Sequence, residues 1–164
     1  MPANLPLSAL LAYVDEEARN WQNWFGQNPS VADAKIDIAH SDNVRALLNH
    51  IFAVEYRYGQ FINNQPASDF SELNRSTTDD VFRLGAEGRA NIRKFLDTAS
   101  DSDADRPITF KTLTAGEITA SARKMLTHCL VHSIRHWAQL ATEMRRQGHA
   151  TKWKHDFMFS TALK

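Results

Sequence analysis

The sequence lacks the features that mark several common classes of protein. It has one cysteine, Cys129, so an intramolecular disulfide is excluded and a reducing compartment is expected. Its net charge is zero, with 19 basic and 19 acidic residues, whereas a protein that binds nucleic acid through bulk electrostatics has a basic excess. No apolar run approaches the roughly 18–20 residues that cross a bilayer, and no signal-peptide pattern is present. We therefore expect a cytoplasmic protein with no nucleic-acid partner and no membrane partner.

Nothing in the sequence divides the chain into separate parts. It has 164 residues, 43% of them hydrophobic, with six glycines and five prolines. It contains no internal repeat, low-complexity tract or shift in composition. This length and composition predict one domain over residues 1–164 with a substantial core.

Four segments have apolar residues at the three-to-four spacing of amphipathic helices. The predicted helices cover residues 5–25, 41–62, 79–96 and 115–148. Ser41 is the expected N-cap of the second helix. Thr114 and Glu117 have the spacing of a capping box, so the fourth helix is expected to begin near Ala115.

The remaining segments complete an all-α prediction. The alternation over residues 108–113 is typical of a short strand or an extended connector. Residues 149–164 are dense in large apolar side chains, so we expect an ordered C-terminal tail. Two pairs of long helices with short or moderate connections predict a four-helix bundle, and sites in bundles form between facing helices.

Three histidines follow one another at four-residue spacing on the fourth predicted helix. Two imidazoles at i and i+4 lie on one helix face and can bind the same metal ion. His128 and His136 are about 12 Å apart along the helix axis, so these two cannot share an ion. The ligand pair is therefore either His128 with His132 or His132 with His136.

The position of the apolar stripe favours one of these pairs. On a helical wheel His136 falls within the stripe, His132 at its edge, and His128 among polar side chains. A single histidine at such an edge is more commonly a packed or solvated residue, and we interpret His128 in that way. His132 and His136 are the predicted ligand pair.

The second predicted helix offers a third histidine. His50 flanks its apolar face, beside the small residues Ala46 and Ala53 that leave room for an approaching ligand. Glu55 falls inside the apolar face, where a carboxylate needs a partner. An ion pair or hydrogen bond within the fold is the first interpretation, and a hydrogen bond to a ligand histidine is the alternative. Arg57, on the same edge as His50, is the other candidate for contacts around the ligands.

The two histidine-bearing segments resemble a known family. LLNHIFAVEYRYGQFI and MLTHCLVHSIRHWAQLATEMRRQG are similar to the two signature segments of the DinB-like family, also called DinB/YfiT-like metalloenzymes. The resemblance implies an antiparallel bundle, commonly a homodimer, in which His50, His132 and His136 bind one divalent metal ion, zinc or nickel. The family often has Arg-Gly-Gln after the last ligand, whereas His136 is followed by Trp-Ala-Gln, so substrates of relatives do not transfer.

Three functional hypotheses follow. Three histidines with an open fourth position are typical of catalytic zinc sites, which favours a metalloenzyme that activates a low-molecular-weight thiol cosubstrate for S-transfer. Metal-dependent hydrolysis is a variant in which Glu55 is the candidate base. The alternative is a non-enzymatic stress-response or ligand-binding bundle with a structural or incidental metal, and the third is a bundle whose histidines only pack or titrate. Cys129 lies in the apolar stripe and is interpreted as a buried apolar residue. No catalytic residue is assigned.

Overall fold

The computed structural model describes residues 5–112 and 116–163, and within these ranges the fold is mostly helical. The long helices are α1 (Leu7–Gln27), α2 (Val44–Ile62), α4 (Thr78–Thr98) and α6 (Ala122–Arg146). The short helices are α3 (Phe70–Leu73), α5 (Asp101–Asp105) and two 3-10 turns, Pro29–Asp33 and Phe157–Phe159. The strands are β1 (Lys35–Ile38), β2 (Ser41–Asn43), β3 (Pro107–Lys111) and β4 (Glu117–Ser121). None of the described helices is long and apolar enough to cross a membrane.

The long helices occupy the predicted regions, but the second begins later than its capping signal indicates. Ser41 lies in β2. Asn43 caps α2 instead, because its side chain accepts a hydrogen bond from the Ala46 amide at 2.9 Å. Serine and asparagine are both favourable N-caps. Because Ser41 pairs with β1, the helix begins later and Asn43 caps it.

The start of the fourth helix is also displaced. The helix begins at Ala122, and Ser121 caps it by accepting a hydrogen bond from the Lys124 amide. Glu117, expected to be part of a capping box, lies in β4. Thr114, the other half of that expected box, lies outside the described residues. The predicted start was wrong because a capping pattern cannot reveal that the segment pairs with the preceding strand, β3.

Two small antiparallel sheets modify the all-α prediction. β1 pairs with β2, and β3 pairs with β4 in a register that runs from Pro107 opposite Ser121 to Lys111 opposite Glu117. The alternation predicted over residues 108–113 overlaps β3, in which alternate residues are buried, while Leu113 lies outside the described residues. Its partner β4 is largely exposed, and the sequence analysis missed it because the capping-box spacing placed these residues in the fourth helix.

The buried side chains form two clusters between the long helices. One contains the large aromatic residues Trp21, Phe25, Phe52, Phe82 and Trp137. The other contains mainly aliphatic residues together with Phe95, Phe110 and Cys129. Cys129 is fully buried, and burial raises the pKa of its thiol well above the ordinary value. The interpretation of Cys129 as a packed apolar residue is consistent with this environment.

Two glycines bring α4 close to α2. A β-carbon at Gly85 would lie 2.3 Å from the Phe52 ring, and one at Gly88 would lie 2.7 Å from the Tyr56 amide nitrogen. These glycines lower helix propensity, but here they remove atoms that would hold the two helices apart. The close approach fixes the position of α2, the helix that carries His50.

One buried polar network joins all four long helices. Arg89 of α4 donates from Nε to Asp15 of α1 at 2.5 Å and from Nη1 to Glu55 of α2 at 2.7 Å. Ser133 of α6 donates to the other oxygen of Glu55 at 2.7 Å. Each charged group in this network has an opposite charge or a hydrogen-bond donor beside it, which offsets the cost of its burial.

Candidate metal centre

The packing of α2 against α6 brings His50, His132 and His136 to one point. The Nε2 atoms of His50 and His132 are 3.0 Å apart, and those of His136 and His132 are 3.1 Å apart. One ligand atom from each of the three residues lies within 4.8 Å of the others. His132 and His136 are buried and His50 is partly exposed. The three predicted residues therefore form a cluster that could hold a metal ion.

Two of the distances between the three nitrogens match the separation of ligands on one metal ion. Atoms that share a tetrahedral ion at bonds of about 2.0–2.1 Å are separated by roughly 3.3 Å, and ligands at right angles by about 2.9 Å. The two short contacts, 3.0 and 3.1 Å, lie within this range. A hydrogen on one nitrogen forms only one well-directed bond, whereas a cation can accept the lone pairs of all three.

Gln139 orients the third histidine. Its side-chain oxygen is 2.7 Å from Nδ1 of His136. An amide oxygen only accepts hydrogen bonds, so Nδ1 carries the hydrogen and Nε2 presents a lone pair toward the other imidazoles. The sequence analysis did not assign this role to Gln139. Its position three residues after His136, on the same helix face, was the available signal.

Burial and mutual proximity keep the three imidazoles neutral. Burial is the main cause that lowers the pKa of His132 to about 2 and of His136 to about 4. The pKa of His50 is lowered as well, first by burial and then by the charge of Arg135. Neighbouring histidines contribute to the low values of His132 and His136, and the Gln139 hydrogen bond opposes the fall at His136. Neutral imidazole is the form that binds a metal ion.

Glu55 lies close to the histidines in sequence but forms other contacts. Its carboxylate is fully buried and bonds to Arg89 and Ser133. Burial raises the pKa of Glu55, and the positive charge of Arg89 opposes that rise. None of the hydrogen bonds described by the structure joins Glu55 to His50, His132 or His136. The observed contacts match the interpretation of Glu55 as a structural ion-pair partner.

Arg57 contacts a loop and not the three histidines. Its Nη1 donates to the Ser68 carbonyl, and its guanidinium carbon lies 4.4 Å from the centre of the Phe70 ring. Within the described residues, no hydrogen bond links Arg57 to the three histidines. Its contacts position the segment around α3 beside the site.

His128 lies outside the convergent group but near it. Its ring centre is 6.0 Å from that of His132 and 6.0 Å from that of Tyr58. The side chain is exposed and lines a cavity instead of pointing its nitrogens at the other histidines.

A cavity of about 370 Å³ lies beside the histidines, a volume suited to a small organic ligand. His50 and His132 form part of its wall. The other lining residues come mainly from α2, the β3–β4 hairpin and the start of α6, with Phe70 from α3: Val54, Arg57, Tyr58, Phe61, Phe70, Phe110, Lys111, Thr112, Ile118, Ala120, Lys124, Met125 and His128. The hairpin that the sequence only partly predicts therefore builds one side of the cavity.

The fold and the cluster define the class: a mostly helical protein with three neutral histidines that could hold a metal ion. The sequence model of the DinB family matches residues 1–161, and the chain belongs to the DinB family. This confirms the resemblance seen in the two histidine-bearing segments.

A solved structure supports the fold. The crystal structure of a DinB-like protein, YjoA from Bacillus subtilis, is similar to this chain with a TM-score of 0.64 and 18% identity. The similarity covers 92% of this chain and 96% of YjoA. No curated protein matches the sequence.

Proposed function

We propose that this protein is a metal-dependent enzyme that uses His50, His132 and His136 to hold one divalent ion, zinc or nickel, and that activates a low-molecular-weight thiol for S-transfer. The observation that carries the proposal is the convergence of three neutral Nε2 atoms beside an apolar cavity. Three protein ligands leave a coordination position for a substrate, as in catalytic zinc sites.

The residues present fit such an ion, and each has a defined role. A bound divalent ion supplies a Lewis acid that lowers the pKa of a coordinated thiol. Gln139 holds the hydrogen of His136 on Nδ1, so that Nε2 is available as a ligand. Because His50 and His132 line the cavity, a molecule in the cavity contacts the same imidazoles that hold the ion.

The cavity provides the place for the second reactant. Its walls are mainly apolar, and electrostatic interactions beside an apolar surface are stronger than in open solvent. In the transfer the thiol proton passes to solvent, and the sulfur forms a bond to an electrophilic carbon of the acceptor. The leaving group departs from that carbon with the electron pair of the broken bond.

The same proposal includes the architecture of the whole chain. Residues 1–164 form a single domain, an antiparallel four-helix bundle with an ordered C-terminal tail, which acts in the cytoplasm as a homodimer. The network through Arg89 supports the bundle. Bonds from Trp153 to Glu17 at 3.1 Å and from the Thr161 amide to Glu16 at 2.8 Å support the ordered tail. The dimer is inferred from family resemblance, and sedimentation equilibrium of the untagged chain tests it.

Cobalt substitution tests whether a thiol reaches the ion. We expect Co²⁺-loaded protein to gain a sulfur-to-cobalt charge-transfer band when a small thiol such as cysteamine is added. The same protein should then accelerate transfer of that thiol to a chlorinated aromatic acceptor, and His132→Ala should show neither effect. His149→Ala is the matched control, since it removes an exposed imidazole that does not line the cavity and should retain both effects.

The competing function gives a different result. A non-enzymatic bundle with a structural or incidental metal would bind Co²⁺ without any spectral response to thiols. That outcome would contradict the S-transfer proposal while leaving the metal site in place.

A further inference from the structure

We propose that the cavity beside the three histidines binds an elongated apolar molecule that ends in a carboxylate or a similar small anion. The assignment of this molecule as the acceptor in S-transfer rests on the proposed function, whereas its binding does not. Three features of the cavity carry the inference: its aromatic wall, its charge and its length.

The wall suits a flat apolar body. Tyr58 and Phe61 come from α2, Phe70 from α3 and Phe110 from β3. Phe110 contacts both α2 aromatics, with ring centres 5.8 Å from Tyr58 and 5.5 Å from Phe61. Aromatic groups arranged in this way bind another ring through both burial and edge or face contacts.

The charge of the cavity is positive although the chain as a whole is neutral. Arg57, Lys111 and Lys124 line it, and no Asp or Glu does so among the described residues. None of these three cations takes part in an ion pair that the structure describes. Positive charges beside an apolar wall attract an anion more strongly than the same charges in open solvent.

Lys124 is the strongest candidate for the contact with the anion. Arg57 already donates to the Ser68 carbonyl, and Lys111 lies opposite Glu117 in the hairpin, so a carboxylate partly offsets its charge. Lys124 has neither a described ion pair nor a carboxylate directly across from it. It therefore offers the least compensated positive charge in the cavity.

The spacing along α6 sets the length of the ligand. Lys124, His128 and His132 follow at four-residue steps and all line the cavity. Lys124 and His132 are thus separated by about 12 Å along the helix axis. A molecule that touches His132 at one end and places an anion at Lys124 has roughly the length of biphenyl-4-carboxylate. The cavity volume of about 370 Å³ accommodates such a molecule.

Calorimetric titration of the metal-free full chain tests the charge preference. The probes are biphenyl-4-carboxylate, the neutral biphenyl-4-carboxamide and the cationic 4-phenylbenzylamine. We expect the carboxylate to bind about five- to tenfold more tightly than the amide, the amine to bind most weakly, and the preference to shrink as salt is added. Equal affinity for the carboxylate and the amide would overturn the proposal.

Two variants and a shorter probe locate the interaction. Lys124→Gln should abolish the preference for the carboxylate, whereas Lys94→Gln, which removes an exposed lysine of α4 outside the cavity, should preserve it. Benzoate should bind at least about tenfold more weakly than biphenyl-4-carboxylate, because one buried ring is lost. An unchanged preference in Lys124→Gln, or equal affinity for benzoate, would also contradict the inference. Because the protein is metal-free, these results are independent of whether the proposed metal chemistry is correct.

Discussion

Helices α2 and α6 carry two polar clusters that are neighbours in sequence and differ in how their polar atoms are satisfied. Glu55 lies five residues after His50 on α2, and Ser133 directly follows His132 on α6. Both carboxylate oxygens of Glu55 accept hydrogen bonds, and Arg89 is paired on both sides. The histidine cluster instead directs three Nε2 atoms at one another, and among the described contacts the buried Nδ1 of His132 has no hydrogen-bond partner.

The difference separates a framework from a binding site. The Glu55 cluster is complete, because each of its buried charges has a partner within the protein. The His50 cluster is incomplete, because its three Nε2 atoms converge and the buried Nδ1 of His132 has no described partner, with Arg135 Nη2, 3.4 Å from Nε2 of His136, as the nearby outside donor. A divalent cation could complete it. Removing a member should therefore destabilise the fold in the first case and remove a candidate ligand in the second.

The largest effect is expected from breaking the complete cluster. Arg89→Ala leaves the buried Glu55 carboxylate without its ion-pair partner, whereas Asp15 keeps its pair with Arg93. We therefore expect a loss of about 3–5 kcal/mol in the free energy of unfolding, measured by urea denaturation. Arg83→Ala on the same helix removes an exposed ion pair with Asp80 and should cost at most about 1 kcal/mol. Equal effects of the two substitutions would show that the buried network is not part of the framework.

A metal ion should stabilise the protein through the incomplete cluster. At a free Zn²⁺ concentration about 100 times the dissociation constant, the free energy of unfolding should rise by about 2.7 kcal/mol. Thermal denaturation with and without Zn²⁺ measures this effect. His132→Ala should not respond to Zn²⁺ at these concentrations, and an equal response in this variant would place the bound ion elsewhere.

Substitution of Gln139 should have a smaller effect, which is confined to metal affinity. Gln139→Ala removes the acceptor that orients His136, so Zn²⁺ affinity should fall by about 10- to 100-fold in a competition assay with a chromogenic chelator. The free energy of unfolding of the metal-free variant should change little because Gln139 is exposed. Gln139→Glu keeps an acceptor and should retain most of the affinity. Unchanged affinity in Gln139→Ala would contradict the orienting role.

His128→Ala is expected to have the smallest effect. His128 is exposed and lies outside the convergent group, so stability should change by less than about 0.5 kcal/mol and Zn²⁺ affinity should remain as in the unmodified protein. A loss of metal in this variant would show that the pair of ligands on α6 was chosen wrongly.

The sequence predicts those parts of this molecule that depend on helical periodicity. His50, His132 and His136 are found together because each lies in or beside an apolar face, and faces of helices are readable from local spacing. The position of Glu55 inside such a face indicates that its carboxylate has a buried partner. Which residue this partner is, Arg89, depends on how distant helices pack.

The features that the sequence does not predict are those that depend on contacts between different segments of the chain. β4 is short and largely exposed, so its pairing with β3 is what establishes it as a strand. By propensity alone, Gly85 and Gly88 predict a weak helix. Their contribution to close helix packing depends on Phe52 and Tyr56 of another helix. One side of the cavity is built by the β3–β4 hairpin, so the cavity could not be derived from helical spacing.

Metal content per chain tests the central claim most directly. Elemental analysis of untagged protein should find about one divalent ion per chain in the unmodified protein and in His128→Ala, and almost none in His132→Ala. An unmodified protein that cannot be loaded with zinc or nickel, or a His132→Ala variant that retains its ion, would contradict the assignment of the three histidines as a metal centre.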